Sequence, residues 1–450
     1  MQTHNYKLKR YDKMKSFLTR RLYFFCLLFS YIKAHIIFVM KIHYKYLTII
    51  KKCAILKVAK TNIFATVLYG DANGEKIMLK ILQVCTKKQQ KEFIEYPLRL
   101  YKDNPYFVPP LYMDEKALFT NKNIYTKTCD SVFFIAQRDG KTVGRIQGII
   151  QHQYNQIHNV KQARFTRFDC ENNLETAKAL FDKVEEWARN KQIQEVVGPL
   201  GYSDLEREGL LIEGFDYLST FEEQYNYEYY ASLIEGCGFT KDVDWVESRL
   251  FRTPQEDERL AKFAQRAMEK NNLHIAGENM SLRAFVKKYA PGIFDCIDEC
   301  YKDLYGVVPF TEEMMQQMID QFLLVLNKKY IMIVCDENEK VVAFGICLPG
   351  IGKALQKSGG KLTPACFYRL MKSVKNPTSI DLGLVGILPQ YRKSGLSAYV
   401  MTMIQGIFAD ENIEYMETNL NLETNANIQT QWKHFNNIQH KRRRSYIKTL

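Results

Sequence analysis

Between Leu382 and Met401 the chain reads LGLVGILPQYRKSGLSAYVM, an apolar strand joined through a turn containing Pro, Arg and Gly to an amphipathic helix. That order builds a seat for phosphate. The first amides of a helix find no acceptor within it and lie at the positive end of its dipole, so a diphosphate can settle on them. Arg392 adds a fixed charge, and Gly395 lets the backbone come close. Gln390, Lys393, Ser394, Leu396, Ser397 and Ala398 make up the rest of the turn. Three titratable side chains lie nearby. Asp381 opens the strand and Glu417 lies on the following one, EYMETNL; each is either a proton acceptor or a solvated strand-end carboxylate. His434, in NANIQTQWKHFNN, titrates near neutrality and is either a proton carrier or a surface residue.

The spacing Arg392, Gly395, Ser397 resembles the R-x-x-G-x-G/A signature of the GCN5-related N-acetyltransferases, with Ser where Gly or Ala is usual. What the resemblance implies is an acyl-coenzyme A as co-substrate. Its pyrophosphate would rest on the amides from Arg392 to Ala398, and its pantetheine would run beside Gly383 to Leu388. An amide near Ile387 or Leu388 would face the thioester oxygen, where negative charge develops. Amine attack further needs a neutral amine and a proton for the leaving thiolate. Family members use a Glu or Asp, directly or through water, and often a Tyr on the helix after the fifth strand. Trp432 or His434 falls where that Tyr would be, so His434 is the candidate acid, with Asp381 and Glu417 as candidate bases. Asn425 resembles the family's pantetheine-contacting Asn, and a helix N-cap explains it equally well. No metal site is readable.

These residues need elements to hold them, and from Met78 onward the chain states the same order twice. FFIAQ turns at Asp139 and Gly140 into KTVGRIQGII, and YIMIVCDENEKVVAFGICLP repeats strand, turn, strand about 200 residues later. Each hairpin leads to another strand, ARFTRF or IDLGLVGIL, and then to a helix marked by Leu174, Ala177, Leu180, Phe181 and Val184, or by Leu396, Val400, Met403 and Ile404. The resulting expectation is an α/β (α+β) protein of two tandem acetyltransferase-like lobes, each a mixed central sheet flanked by helices. Residues 78–255 form the first, 256–450 the second, and TPQEDE the join. An insertion from Pro349 to Thr378 either covers the cleft or is a surface excursion. In the first half Asp169, Cys170, Glu171 and Asn172 stand where a phosphate would sit, so the second half alone is expected to bind the nucleotide.

The segment GPLGYSDLEREGLLIEGFDYLSTFEEQYNYEYY from Gly198, with DNPYFVPPL from Asp103, resembles the two-lobed bacterial subgroup that includes the sphingoid-base N-acyltransferases, or bacterial ceramide synthases. The resemblance implies an acyl or acceptor groove between the lobes; packing of tyrosines explains the segment equally. The expected reaction is acyl transfer from coenzyme A to an amine, a lipid amine such as a sphingoid base or a smaller one. A non-catalytic coenzyme A-binding scaffold and a tRNA-dependent aminoacyl transferase are the alternatives.

Charge bounds the partners. Residues 1–77 hold 15 Lys and Arg against three acids, so all but one of the net +13 charges belong to this leader. The leader carries LYFFCLLFSYI at Leu22 to Ile32 and is read as an upstream extension foreign to the working protein, a marginal membrane anchor, or a basic segment in peripheral membrane contact. The run HKRRR from His440 precedes a closing strand with little aromatic interleaving, which favours a solvated face or an adenosine 3′-phosphate contact over nucleic acid. Eleven cysteines without a C-x-x-C pair read as reduced core residues of a cytoplasmic protein.

Overall fold

A computed structural model describes residues 65–70, 76–253 and 258–450. The expectations for Leu22 to Met40 lie outside the described residues. The folded unit begins ahead of Met78, because β1 (Ala65–Gly70) pairs antiparallel with β2 (Lys76–Gln83).

The strands that follow are β3 (Cys129–Arg138), β4 (Lys141–Gln151), β5 (Gln162–Cys170), β6 (Glu195–Gly198), β7 (Leu210–Glu213), β8 (Thr240–Phe251) and β9 (His274–Ile275). Then come β10 (Ile331–Cys335), β11 (Val341–Pro349), β12 (Ser379–Ile387), β13 (Tyr415–Thr418), β14 (Asn421–Leu422) and β15 (Asn436–Thr449). All join one sheet in the order β1-β2-β3-β4-β5-β6-β15-β8-β13-β12-β11-β10-β9, with β14 on β8 and β7 on β15. The β3–β4 hairpin turns where expected: Asp139 and Gly140 both take positive φ, 48° and 78°, the twist a two-residue turn needs.

Each half contains one parallel pair, β5 with β6 and β12 with β13. The crossovers are the helices Leu174–Asn190 and Leu396–Ile407. The first is capped by Asn173 and buries Ala177, Leu180, Phe181, Val184 and Ala188 on one face. The second buries Leu396, Ala398, Val400, Met401, Ile404 and Ile407. Helical spacing of apolar residues thus seats both on the sheet.

The closing strands are exchanged. β8, from the first half, lies against β13 of the second, and β15, the last strand of the chain, lies against β6 of the first. β8 and β15 pair with each other from Asn436↔Phe251 to Ile447↔Thr240, which makes the sheet continuous. The insertion also reaches across. Its helices Gly352–Gln356 and Pro364–Lys375 share a buried cluster with Val108, and Gln356 donates to the carbonyls of Pro105 and Phe107 at 2.8 and 3.0 Å.

Candidate active site

β12 and β13 run in register from Ser379↔Tyr415 to Leu382↔Thr418 and then part. At the parting β12 carries a bulge. Ile346 of β11 faces Leu384 while Cys347 faces Leu382, leaving Gly383 as the extra residue, and Asn419 Nδ2 donates to the Gly383 carbonyl at 3.1 Å. Beyond it, alternate residues turn their peptide groups to the open edge. At Val385 the Tyr301 hydroxyl takes both groups, donating to the carbonyl at 2.9 Å and accepting the amide at 3.2 Å. The Ile387 carbonyl accepts Arg392 Nε at 3.3 Å.

Leu388 turns the other way. Its amide donates to the Val342 carbonyl at 2.9 Å, so it is engaged inside the sheet and is not free for a thioester oxygen. Strand alternation explains the correction: of Ile387 and Leu388 only the former faces the gap.

The turn that follows is the one where the sequence predicts an anion seat. Gly395 takes φ +90°, and a Cβ there would lie 2.9 Å from the Phe263 ring. The Leu396 amide reaches Ser394 Oγ at 3.4 Å and the Ala398 amide the Gly395 carbonyl at 3.0 Å. The amides of Lys393, Gly395 and Ser397 have no acceptor among the described residues. Gln390, Arg392 and Lys393 are exposed, Ser394 and Ser397 half-buried, Leu396 and Ala398 buried. The Arg392 guanidinium leans back over the strand end, where its Nη2 also meets the Cys300 carbonyl at 3.4 Å.

The two candidate bases sit side by side, Asp381↔Glu417, but in opposite states. Glu417 Oε1 accepts from His440 Nε2 at 2.5 Å and Lys441 Nζ at 2.7 Å, and Oε2 accepts Arg249 Nε at 2.8 Å. Burial pushes its pKa up, but Lys441 and the His440 hydrogen bond outweigh that and hold it at about 2. Such a carboxylate anchors and does not take protons near neutrality. Asp381 is pushed well above the carboxylate range by burial and by the neighbouring Glu417, Glu222 and Glu223, and its Oδ2 has no partner. Burial therefore makes Asp381 the harder of the two to ionise.

His434 is exposed in the short turn Trp432–His434 and, among the described residues, makes no hydrogen bond or ion pair with either carboxylate. Its neighbour Trp432 is buried, lines the cleft and donates its indole N–H to Asn421 Oδ1 at 2.8 Å. Asn425 caps its helix by accepting the Ile428 amide at 3.3 Å and also lines the cleft.

The HKRRR run is neither a solvated face nor an exposed phosphate contact. It lies on β15, where Lys441 and Arg443 turn inward to Glu223 and Glu247, with Lys441 also on Glu417, while Arg442 and Arg444 turn to Asp244. Lys441 and Arg443 are 1% and 0% exposed. Opposed acids from the first half satisfy cations from the end of the second, which ties the two together beneath the cleft.

That cleft has a volume of about 1490 Å³, above the range of an ordinary small-molecule pocket. Phe294 and Ile297 of the helix Leu282–Tyr301, Met314 and Met318 of the helix Glu312–Phe322, and Leu355 and Leu370 of the insertion give it apolar walls. Gly383, Leu384 and Val385 bring the parted strand to it, and Asp204, Glu208, Glu222 and Glu223 bring carboxyl groups from the first half. The insertion therefore supplies part of the cleft wall. Among the described residues no group of three or more ligating side chains could hold a metal, and no helix is long and apolar enough to cross a membrane.

No protein-family model matches the chain. It is 25% identical over 370 residues to Protein YghO of Escherichia coli, covering 81% of this chain and 94% of that one. It is 24% identical over 322 residues to the bacterial ceramide synthase of Caulobacter vibrioides, covering 70% and 82%. Among solved structures, a tandem GNAT protein from the clavulanic acid biosynthesis pathway aligns with TM-score 0.47 and 10% identity over 82% of this chain and 98% of that one. A glucosamine N-acetyltransferase region of a fungal GH3 beta-N-acetylglucosaminidase aligns with TM-score 0.49 and 10% identity, over 83% and 39%. The chain itself folds as one mixed sheet flanked by helices.

Proposed function

We propose that this protein is an acyl-coenzyme A-dependent N-acyltransferase whose acceptor is a long-chain amine, a sphingoid base being the model substrate. The observation that carries the reading is the succession of three features along one stretch of chain: a parted strand edge from Gly383, a large apolar cleft lined by Gly383 to Val385 of that edge, and beyond the strand an exposed turn with unpaired amides at Lys393, Gly395 and Ser397. The turn suits a diphosphate, the edge suits the two amide groups of a pantetheine arm, and the cleft suits hydrocarbon. Bound coenzyme A would supply the activated acyl group as a thioester. On the protein's side, the turn holds the charged end, Arg392 faces it, and the apolar walls keep water from the reacting carbonyl. Tyr301 occupies Val385 on the open edge and would yield that amide to the pantetheine. The name of the Caulobacter relative supports a lipid amine as acceptor. Burial of Lys441 and Arg443 takes the HKRRR run out of reach of a nucleic acid.

The test is direct. Coenzyme A at millimolar concentration should raise the melting temperature of the full chain, and free thiol should appear when palmitoyl-coenzyme A and sphinganine are supplied together. No melting shift, or thiol release indifferent to the amine, would refute the assignment.

A further inference from the structure

We propose that Asp204 and Glu208, both from the first half, form the receptor for the acceptor's ammonium group, and that Glu208 takes the proton this group must lose before it attacks. The proposal rests on the acyl-transfer reading above and names the acceptor site within the same cleft.

Both carboxyl groups line the cleft. Glu208 is 8% exposed and has no hydrogen-bond or ion-pair partner among the described residues. Asp204 meets the Val308 amide at 3.4 Å. The cation acting on both is Arg164, yet its Nη1 and Nη2 donate to the carbonyls of Gly201 and Gly306, at 3.2 and 3.0 Å, and its plane lies over the Tyr154 ring. Two carboxyl groups withdrawn from bulk water without a paired cation are costly, and that cost falls when a cation enters. Burial pushes Glu208 well above the carboxylate range and Asp204 up to about 6. Burial thus makes each a stronger base than an exposed carboxylate, which taking a proton from an ammonium requires.

The pair is near the parted edge. Asp204 acts electrostatically on the Tyr301 phenol, the same hydroxyl that bridges the amide and carbonyl of Val385. Leu304, Val307, Phe310 and Met314 line the cleft around it, so the chemistry that fits is a primary ammonium on a hydrocarbon chain. In the reaction R–NH3⁺ passes one proton to Glu208, and the freed lone pair forms the C–N bond at the thioester carbonyl. The C–S bond breaks, the thiolate leaves as the thiol with a second proton from nitrogen, and Glu208 returns its own proton to water.

Decylamine and decanol are the probes, titrated calorimetrically into the full chain at pH 7. Wild type should prefer the amine at least tenfold. D204N/E208Q should lose that preference while keeping its affinity for decanol and its melting shift with coenzyme A. In turnover, E208Q should lower kcat about a hundredfold, and D204N should act mainly on the KM of the amine. Because Glu208 has no native partner, E208Q should be no less stable than wild type. A double variant that keeps the amine preference overturns the receptor, as does loss of the preference in E222Q alone. Unchanged kcat in E208Q overturns the base. A wild type that prefers the amine but gives no shift with coenzyme A refutes acyl transfer and upholds the ammonium site, so the two readings fail separately.

Discussion

Replacing Glu417 by Gln separates an anchoring carboxylate from a catalytic base. Glu417 is 2% exposed, and both its oxygens are taken, by His440 and Lys441 on one side and Arg249 on the other. Burial works against the charge, but the cations prevail and bring the pKa from the usual 4.5 to about 2. That displacement corresponds to about 3 kcal/mol of folding stability. Since the folded-state value is the lower one, the contribution is complete above about pH 4.5 and is lost as pH falls toward 2. Breaking a buried ion pair costs about 3–5 kcal/mol in general, and the lower end applies because Lys441 keeps Glu223 at 2.9 Å and Glu247 at 3.2 Å. Urea denaturation of E417Q should therefore show a loss of about 3 kcal/mol at pH 7 that closes as pH falls below about 3. Thiol release per folded molecule should stay within a few fold of wild type. Equal stability at pH 7 with turnover down about a hundredfold would make Glu417 the base after all and refute the anchoring role.

Three further outcomes follow from the same geometry. Arg392→Glu should weaken coenzyme A at least about tenfold by calorimetry, or about 1.4 kcal/mol, and leave the melting temperature alone, because the guanidinium is exposed and its contacts are long; equal affinity would remove the phosphate seat. Asp381→Asn should stabilise the protein at pH 7 and not at pH 3, because burial raises the carboxyl's pKa in the folded chain above its unfolded value, so that its ionisation works against folding at the higher pH; a loss of stability at pH 7 by urea titration would mean that the charged form is the one bound. Gly395→Ala should cost about 1–2 kcal/mol in the same titration, since φ +90° suits only glycine, and an unaffected variant would show that the turn relaxes freely.

What could be read from the letters was local. The strand, the turn and the helix from Leu382 to Met401 are consecutive, and the unpaired amides there follow from chain order alone. The two hairpins and both crossover helices were legible for the same reason, through period 2 and period 3.6. The acids and bases were not. His440, Lys441 and Arg443 look like a surface run until β15 is set against β8, and that pairing joins residues nearly two hundred positions apart. A run of consecutive basic residues on one strand, and another strand carrying Asp242, Asp244 and Glu247, were the available signal. Register cannot be counted from composition, and a shift of one residue would turn Lys441 and Arg443 to the other face. Leu388 shows the same limit in miniature, since one step along β12 decides whether its amide meets a ligand or Val342.

On the proposed reading one half seats the cofactor's phosphates and the other does not. In the first half the matching place is filled from within: Asp169 accepts Arg145 Nε at 2.7 Å and the Tyr101 hydroxyl at 3.0 Å, and Asn173 caps the helix that follows. No anion could enter without displacing a buried carboxylate from its arginine, which is unfavourable by several kcal/mol. That half is free to serve otherwise. With β15 locked against β6 and β8 against β13, the residues after β6 are carried to the second half's parted strand, and Asp204, Glu208, Glu222 and Glu223 arrive on the face of the cleft. On the proposed reading the topology divides the labour: the half with bare amides would take the anionic cofactor, and the half that brings Asp204 and Glu208, neither of them in an ion pair among the described residues, would take the ammonium. A chain cut at the join would hold neither half's closing strand, so the two separated pieces should fail to bind coenzyme A or decylamine singly and recover both when mixed. Binding by either piece alone would show that the exchanged strands are dispensable.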